Sequence, residues 1–446
     1  MKGDDIKVRS APRGAKQKLR WLGPGITWLA AGAGGAGELL FPPRVGSLYG
    51  YAFLWALIIA ILLKWFINKE IGRYAVCTGR SLLDGFKSLP GPANWAVWLI
   101  VVPQIFVAVG SIAGIAGAAA TAFILLLPGS VEIWTGITLI SAVFLLSSGS
   151  YRVVERVAMV LAIILGLVGI VTAVSVFPPL EKLAAGLRPI IPEGTNYIEI
   201  IPWLSFLLAG AAGMTWYSYW LPARGYGAAD TGDVAEAWKS EVNIAELKGW
   251  KREMVIDNTL GVIGGFMIVV AFLILGTELL RPEGIVPEEN RVASVLGKLL
   301  ESTWGRIGFW GMIVGVLVGF WNTAMTNQDG WTRLFLNAFQ ILSAGTKFRE
   351  RLGDDKRIRL WILWGLLCVT PFTVFVAAGE PVGLLQVAGV IEAIHIPIIA
   401  GLTLYMNSST LPGALKPSLS TIIINVVACS FFLGFAALYL AQLFSK

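Results

Sequence analysis

Titratable and metal-binding side chains are scarce in this sequence. The 446 residues include one histidine and three cysteines, and charged residues make up 14 % of the chain, against roughly 25 % in ordinary soluble domains. Cys77, Cys368 and Cys429 are far apart and lack the spacing of a metal site. We find no set of nucleophile, base and orienting group and no metal-hydrolase spacing, so we expect neither an enzyme nor a bound cofactor.

Long apolar runs occupy most of the chain, which is 56 % hydrophobic. About 20 apolar residues are enough to cross about 30 Å of hydrocarbon, and roughly eleven segments reach that length. They are 25–48, 50–76, 94–126, 131–149, 154–178, 199–222, 254–278, 306–341, 359–379, 383–406 and 419–443. The pattern predicts an all-α polytopic membrane protein with about 11 transmembrane helices in the lipid bilayer. Segments 94–126 and 306–341 are each long enough for two tight spans, but that division would invert the charge bias of the next junctions.

Basic residues gather in alternate junctions between these segments, as the positive-inside rule requires for a cytoplasmic N-terminus. Residues 1–22 lack the apolar stretch of a signal peptide and carry seven Lys or Arg residues, so we interpret them as a cytoplasmic tail. An odd number of spans places the C-terminus on the opposite side, and the plasma membrane is the expected location. We assign the net charge of +7 to cytoplasmic loops rather than to a nucleic-acid partner. The sequence is compatible with a monomer.

Two of the spans carry glycine clusters at membrane depth, one at 23–42 and one at 204–222. Glycine costs about 1 kcal/mol against alanine in a helix interior, so such clusters mark where a helix opens and exposes backbone carbonyls. Interrupted helices in corresponding positions of two halves indicate a transporter site. We therefore predict an inverted-repeat architecture of 5+5 helices, with repeats at 23–180 and 199–406 and an additional C-terminal span at 417–446.

Glu38 is an acid inside the first of these spans. A charge at membrane depth costs at least about 2.5 kcal/mol, so the default expectation for such a residue is a functional role. Two other interpretations stay open: Glu38 pairs with Arg44, or it caps a half-helix.

Further polar residues lie in later spans. In the eighth, Asn322, Asn327 and Asp329 form a candidate polar strip, with 322 and 329 on one helical face. They either line a permeation path or make interhelical hydrogen bonds. In the tenth, Glu392 and His395 are three residues apart and share a face, as a titrating coupling pair or as a structural polar contact.

Several local patterns together resemble one family. They are Gly23-Pro-Gly25, Gly50-Tyr51, Glu70-Ile-Gly-Arg-Tyr-Ala-Val-Cys-Thr-Gly79, Gly149-Ser-Tyr-Arg-Val-Val-Glu155, Ala211-Ala-Gly-Met214 and Leu384-Leu-Gln-Val387. In order and spacing they resemble the Nramp divalent-metal transporters, and more particularly the divergent, Nramp-related branch. The resemblance covers nearly the whole chain. It implies the LeuT-like fold, with a substrate site between spans one and six.

The chain departs from the family's pattern at that site. The metal-binding Asp-Pro-Gly-Asn motif of span one is replaced by Gly34, Gly35, Ala36 and Gly37, and Glu38 is the nearest acid. In span six the family's Ala-x-x-Met is matched by Ala211 and Met214, whereas the following Pro-His-Asn reads Thr215-Trp-Tyr217. The family's glutamine in span ten is matched by Gln386.

The resemblance therefore implies a divalent metal as substrate, moved by alternating access through a rebuilt site. Oxygen ligands from Glu38, Gln386 and opened backbone suit a hard cation, and the Met214 thioether would tune the site. Mg²⁺ or Mn²⁺ is favoured.

Proton coupling and the substrate class both depend on positions where the chain departs from the family's pattern. The family's proton-relay positions fall on Ser111, Gly114 and Gly365, so we expect weak or no proton coupling. The alternative is a transporter of a small organic solute or anion. Its pocket would use Trp216, Tyr217 and Tyr219, or Arg224 for an anion.

Overall fold

The computed structural model describes residues 7–25, 35–148, 152–346 and 354–445, and every regular element within these ranges is helical. The helices of the first half are α1 (Ala15–Trp21), α2 (Phe41–Tyr49), α3 (Leu54–Thr78), α4 (Leu82–Phe86), α5 (Trp95–Leu126), α6 (Val131–Ser148), α7 (Arg152–Ser175) and α8 (Leu180–Gly186). Those of the second half are α9 (Tyr197–Phe206), α10 (Ala211–Arg224), α11 (Val234–Ala237), α12 (Glu241–Leu275), α13 (Val292–Leu342), α14 (Asp355–Trp361), α15 (Thr370–Ala378), α16 (Pro381–Thr410) and α17 (Leu419–Phe444). Short π-helical segments precede α2 (Ala36–Leu40), follow α12 (Gly276–Leu280) and join α14 to α15 (Ile362–Val369).

The all-α membrane architecture predicted from the apolar runs is confirmed. Within the described ranges, eight helical stretches are long and apolar enough to cross a membrane, and α7 with α8, bent by 115°, would make a ninth. The second predicted span is helical over α3 but contains four charged residues, Lys64, Lys69, Glu70 and Arg73. The first is described only in part, so the count of eleven stays a prediction, as does the division into repeats.

Each of the two unusually long segments contains one helix rather than two spans. α5 is continuous across its 32 residues. α13 consists of two helical parts separated at Gly305, whose φ of 59° and ψ of −150° are not helical, and the second part agrees with the predicted span of 306–341. α12, in contrast, begins at Glu241, before the predicted span of 254–278, because its charged first turns continue the same helix.

A helix interruption occurs where the second glycine cluster predicted it. α9 ends at Phe206 and α10 begins at Ala211, and between them Leu208 has a φ of 63°. On the first span, residues 26–34 lie outside the described ranges, so its interruption stays a prediction, and from Gly35 the chain leads into the π-helical segment Ala36–Leu40. The first and sixth spans cross closely at Gly37, where an added Cβ would collide with the Phe206 carbonyl. Glycine at this position therefore permits the two backbones to meet.

The remaining helices hold this crossing in place. α5 packs against α13 and α16, while α16 also packs against α9 and α17. The N-terminal segment lies along the start of α12: Val8 N donates to Asn243 Oδ1 at 3.1 Å, and Trp250 Nε1 donates to the Arg9 carbonyl at 2.7 Å. The site thus lies within a helical frame that reaches from the tail to the last helix.

Candidate functional site

The first and sixth spans border a cavity of about 80 Å³. Both spans contribute to its wall, and the lining residues from them include Gly35, Gly37, Glu38, Leu208, Ala209, Gly210, Ala212 and Gly213, joined by Glu392 of α16. The rest of the wall comes from α5, α10, α13 and α16, and includes Ser111, Ile115, Trp216, Trp220, Thr323, Asn327, Trp331 and Leu385. One water needs roughly 10–15 Å³ of such volume, so the cavity has room for several water molecules.

Glu38 links the first span directly to the break in the sixth. Its side chain is buried, and its Oε1 accepts a hydrogen bond from the backbone N–H of Leu208 at 2.7 Å. The alternative in which Glu38 pairs with Arg44 is wrong, because the Arg44 guanidinium binds Glu199 instead, through Nε–Oε2 at 2.7 Å and Nη2–Oε1 at 2.9 Å. Glu38 therefore satisfies an exposed N–H in the opened sixth span while also lining the cavity.

Glu392 reaches the same cavity from α16 and lies at the N-terminus of α10. The Ala212 N–H points at its carboxylate, 3.3 Å from Oε2 and 3.4 Å from Oε1. A helix N-terminus favours a negative charge, because its first N–H groups lack partners within the helix. The approach depends on Gly210, where a Cβ would lie 2.6 Å from Glu392 Oε2.

Gln104 of α5 joins three side chains behind the cavity. Its Nε2 lies 3.1 Å from Glu392 Oε1 and 2.9 Å from His395 Nδ1, and its Oε1 accepts from Trp331 Nε1 at 2.9 Å. Glu392 and His395 thus share one buried amide. Glu392 lines the cavity, whereas His395 does not.

Lys64 of α3 is a fully buried cation beside the opened sixth span. Its ammonium donates to three backbone carbonyls, those of Ser205 at 2.6 Å, Leu207 at 2.7 Å and Ala209 at 2.9 Å. It also interacts electrostatically with Glu38 and Glu392. The sequence analysis missed this residue, although the cost of a membrane-buried charge that singled out Glu38 applies equally to Lys64.

Several predicted site residues lie off the cavity wall. Ala211, Met214 and Tyr217 are buried within α10 but do not line it. Gln386 donates to Glu199 Oε2 at 2.9 Å, in the ion pair formed with Arg44. Gly34 lies outside the described ranges, and Ala36 begins the π-helical segment that carries Glu38.

The candidate strip on the eighth span is divided in the structure. Asn327 lines the cavity. Asn322 is buried elsewhere, and Asp329 pairs with Arg333 of the same helix at 2.7 Å. Arg224 donates to the Arg20 carbonyl at 3.0 Å, away from the cavity, so the anion site suggested for it is not formed here.

Two polar atoms on the wall are buried and have no hydrogen-bond partner in the described part of the chain: Ser111 Oγ and Trp216 Nε1. The serine hydroxyl can donate and accept a hydrogen bond, and the indole N–H can donate one. Both atoms therefore suit ordered water around a bound solute. Within the same part of the chain, no three His, Cys, Asp or Glu side chains converge as a metal cluster. A cation in this cavity would therefore bind the two carboxylates, backbone and water.

A broken membrane helix that crosses another span at an acidic cavity is typical of a transporter of the LeuT-like type. Over residues 28–442 the chain matches the Nramp family, described as natural resistance-associated macrophage protein-like. The chain belongs to this family, whose members are transporters and not enzymes. Membership supports a divalent metal as the transported species.

The chain is also similar to individual curated proteins. An uncharacterised protein of Pasteurella multocida is 22 % identical over 440 residues, covering 95 % of this chain and 93 % of that one. The divalent metal cation transporter MntH 1 of Pseudomonas aeruginosa is 30 % identical over 175 residues, or 38 % of either chain.

Solved structures show the same fold. A manganese transporter of Eremococcus coleocola superposes with a TM-score of 0.70 at 14 % identity, covering 98 % of this chain and 89 % of that one. MhsT in complex with L-phenylalanine superposes with a TM-score of 0.54 at 15 % identity, covering 97 % and 100 %.

Proposed function

We propose that this protein moves a small divalent cation, Mg²⁺ or Mn²⁺, across the membrane by alternating access, with weak or no proton coupling. One observation carries the proposal: the carboxylates of Glu38 and Glu392 line one cavity between the first and sixth spans. Hard cations bind oxygen ligands, usually including carboxylates. The family's missing aspartate is thus replaced by two glutamates from different spans.

The size of the cavity favours a cation that keeps part of its water shell. Mg²⁺ gives up water reluctantly and is commonly held through one or two carboxylates. A cavity of about 80 Å³ accommodates several waters, and Ser111 Oγ and Trp216 Nε1 are placed to hydrogen-bond to them. We leave Met214 and Gln386 out of the first coordination shell, because neither lies on the wall.

The proposal of weak proton coupling comes from the residues at the family's relay positions. Ser111, Gly114 and Gly365 do not titrate at any physiological pH. His395 lies behind the wall and is bonded to Gln104. The proposed transport cycle therefore moves the metal without a dedicated proton path through span three.

A small organic solute or anion is the second candidate. It is favoured by three tryptophans on the wall, Trp216, Trp220 and Trp331, and by the positive charge of Lys64 beside the break. Tyr217 and Tyr219, which the sequence had included in such a pocket, do not line the cavity.

The test is uptake of Mn²⁺, Mg²⁺ and Ca²⁺ into proteoliposomes with internal pH recorded. The parent is compared with Glu38→Gln and Glu392→Gln, and with Glu241→Gln as a matched control, since Glu241 is exposed at the start of α12. We expect saturable uptake in the parent and the control, loss in both site variants, and a flat pH trace.

Each other outcome has a definite meaning. No saturable uptake of any of the three metals by correctly oriented parent protein overturns the metal proposal and directs the search to organic solutes and anions. Acidification or alkalinisation that follows metal uptake overturns the lack of proton coupling. If uptake persists in both glutamine variants, the metal does not bind in this cavity.

A further inference from the structure

The break in the sixth span forms a cradle of backbone oxygens around one ammonium group. The Lys64 Nζ donates to the carbonyls of Ser205, Leu207 and Ala209 at distances of 2.6 to 2.9 Å. An ammonium has three N–H donors and no acceptor. The number of carbonyls therefore equals the number of donors, and the donors need no water.

The rest of the surroundings also suit a cation. The Phe432 ring of α17 lies with its centroid 5.8 Å from Nζ, within the range of a cation–π contact. Glu38 and Glu392 add negative charge nearby. Opened backbone carbonyls and half-helix C-terminal ends are groups that coordinate monovalent cations in broken membrane helices.

We propose that the α9–α10 break contains a second cation site, distinct from the substrate cavity, and that the Lys64 ammonium is its permanently tethered occupant. The site consists of the Ser205, Leu207 and Ala209 carbonyls and the face of Phe432. Because α3 supplies the cation covalently, the opened carbonyls of the sixth span are satisfied without a free monovalent co-ion.

Two consequences follow for the transported metal. The three carbonyls are engaged by Lys64, so the metal is restricted to the carboxylate side of the break. Removing the ammonium opens the site to a small cation from solution, because Ala209, whose carbonyl belongs to the site, also lines the substrate cavity.

The experiment is chemical rescue of Lys64→Ala, read as the midpoint of thermal unfolding of the full chain in detergent. Methylammonium chloride, sodium chloride and choline chloride are compared at constant ionic strength. Binding of a cation to the folded state alone raises stability with saturation. We expect the substitution to lower the midpoint, and methylammonium to restore part of the loss with saturation, whereas choline, too large for the cradle, does not.

Lys69→Ala is the matched control. Lys69 lies on the same helix, half-buried against the Trp65 and Phe66 rings, with its Nζ 5.2 and 4.7 Å from their centroids. The parent and Lys69→Ala should respond equally to methylammonium and choline. A Lys64→Ala variant that also responds equally to the two salts overturns the proposal.

If Lys64→Ala unfolds during purification, a second measurement tests the proposal. The yield of monodisperse Lys64→Ala is compared after solubilisation in methylammonium and in choline. A higher yield in methylammonium supports the site, and equal yields overturn it. Neither readout involves metal transport, so failure here is distinguishable from failure of the proposed function.

Discussion

Arg44 and Glu199 form a two-pronged ion pair that joins the first span to the start of the sixth. Nε and Nη2 of Arg44 donate to the two carboxylate oxygens of Glu199 at 2.7 and 2.9 Å, and the side chains are 7 % and 13 % exposed. Gln386 adds the tenth span by donating to Glu199 Oε2, and Arg44 Nη1 donates to the Pro287 carbonyl. Gln386 was predicted as a metal ligand and Arg44 as a partner of Glu38. Both instead bind Glu199, in a link between three spans that is separate from the cavity.

Removing one charge of this pair should lower the stability of the folded protein substantially. Breaking a buried ion pair costs about 3–5 kcal/mol. Glu199→Gln would leave Arg44 with only the exposed Glu288 carboxylate at 3.7 Å, so it should clearly lower the unfolding midpoint in detergent. Arg44→Gln combined with Glu199→Gln should cost less than the sum of the single variants, because neither charge is then left alone. Glu283→Gln, which disrupts the exposed pair with Lys298 at 3.3 Å, should cost less than about 1 kcal/mol. Strict additivity of the buried pair would contradict the coupling.

Gly210→Ala should weaken substrate binding without unfolding the protein. The added Cβ would lie 2.6 Å from Glu392 Oε2, so the carboxylate must withdraw from the Ala212 N–H. Hydrogen bonds to charged groups contribute about 1.5–3 kcal/mol, and we expect the apparent affinity for Mn²⁺ in uptake assays to fall by at least about tenfold. Gly401→Ala, on the helix of Glu392 and with open space around its Cβ, is the control. Equal uptake kinetics in the two variants would show that Glu392 does not contribute to substrate binding.

His395→Asn should leave the pH profile of uptake unchanged. The ring Nδ1 lies 2.9 Å from Gln104 Nε2, and the side chain does not reach the cavity. An asparagine side-chain oxygen accepts the same kind of hydrogen bond and does not titrate. The measurement is initial uptake rate from pH 5 to 8, a range that includes the ordinary histidine pKa of about 6.5. A profile that flattens or shifts in the variant would instead make His395 a coupling residue.

Asp257→Ala should release the segment that precedes the first span. Its two carboxylate oxygens accept from the backbone N–H groups of Gly23 at 3.0 Å and Gly25 at 2.6 Å. Loss of bonds to a charged acceptor costs about 1–3 kcal/mol, so we expect limited trypsin digestion of the N-terminal segment to quicken by about tenfold. Asp233→Ala, which removes the helix cap accepted from Glu236 N at 3.1 Å on α11, should leave that rate unchanged. Similar rates for both variants would mean that Asp257 does not hold the segment.

The architecture was predictable because it follows from local sequence. Apolar length and the absence of charge identify membrane helices, and glycine clusters identify where two of them open. The structure has the interruption in the sixth span, and the family membership inferred from motif order is confirmed. Helix starts were less predictable: α12 extends beyond the apolar core, because charged residues continue a helix as readily as apolar ones.

The site was only partly predictable. Glu38, Gly35 and Gly37 lie on the cavity wall, next to the glycine cluster of the first span. Asn327 and Glu392, which were singled out as polar residues of later spans, lie on it as well. Gln386 was expected there from its position in a motif, yet it bonds to Glu199. Motif position places a residue on a helix, but the rotation of that helix is decided by its neighbours.

The sequence by itself therefore determined a helical membrane transporter of the Nramp family with an opened sixth span, because hydropathy and backbone propensity act over a few neighbouring residues. Only the tertiary structure decided which distant groups meet at that opening. Lys64 and Ser205 are separated by 141 residues along the chain, and Gln104 and Glu392 by 288. Buried charges and amides must find partners wherever packing brings them, and that choice is made by helix contacts that no local pattern encodes.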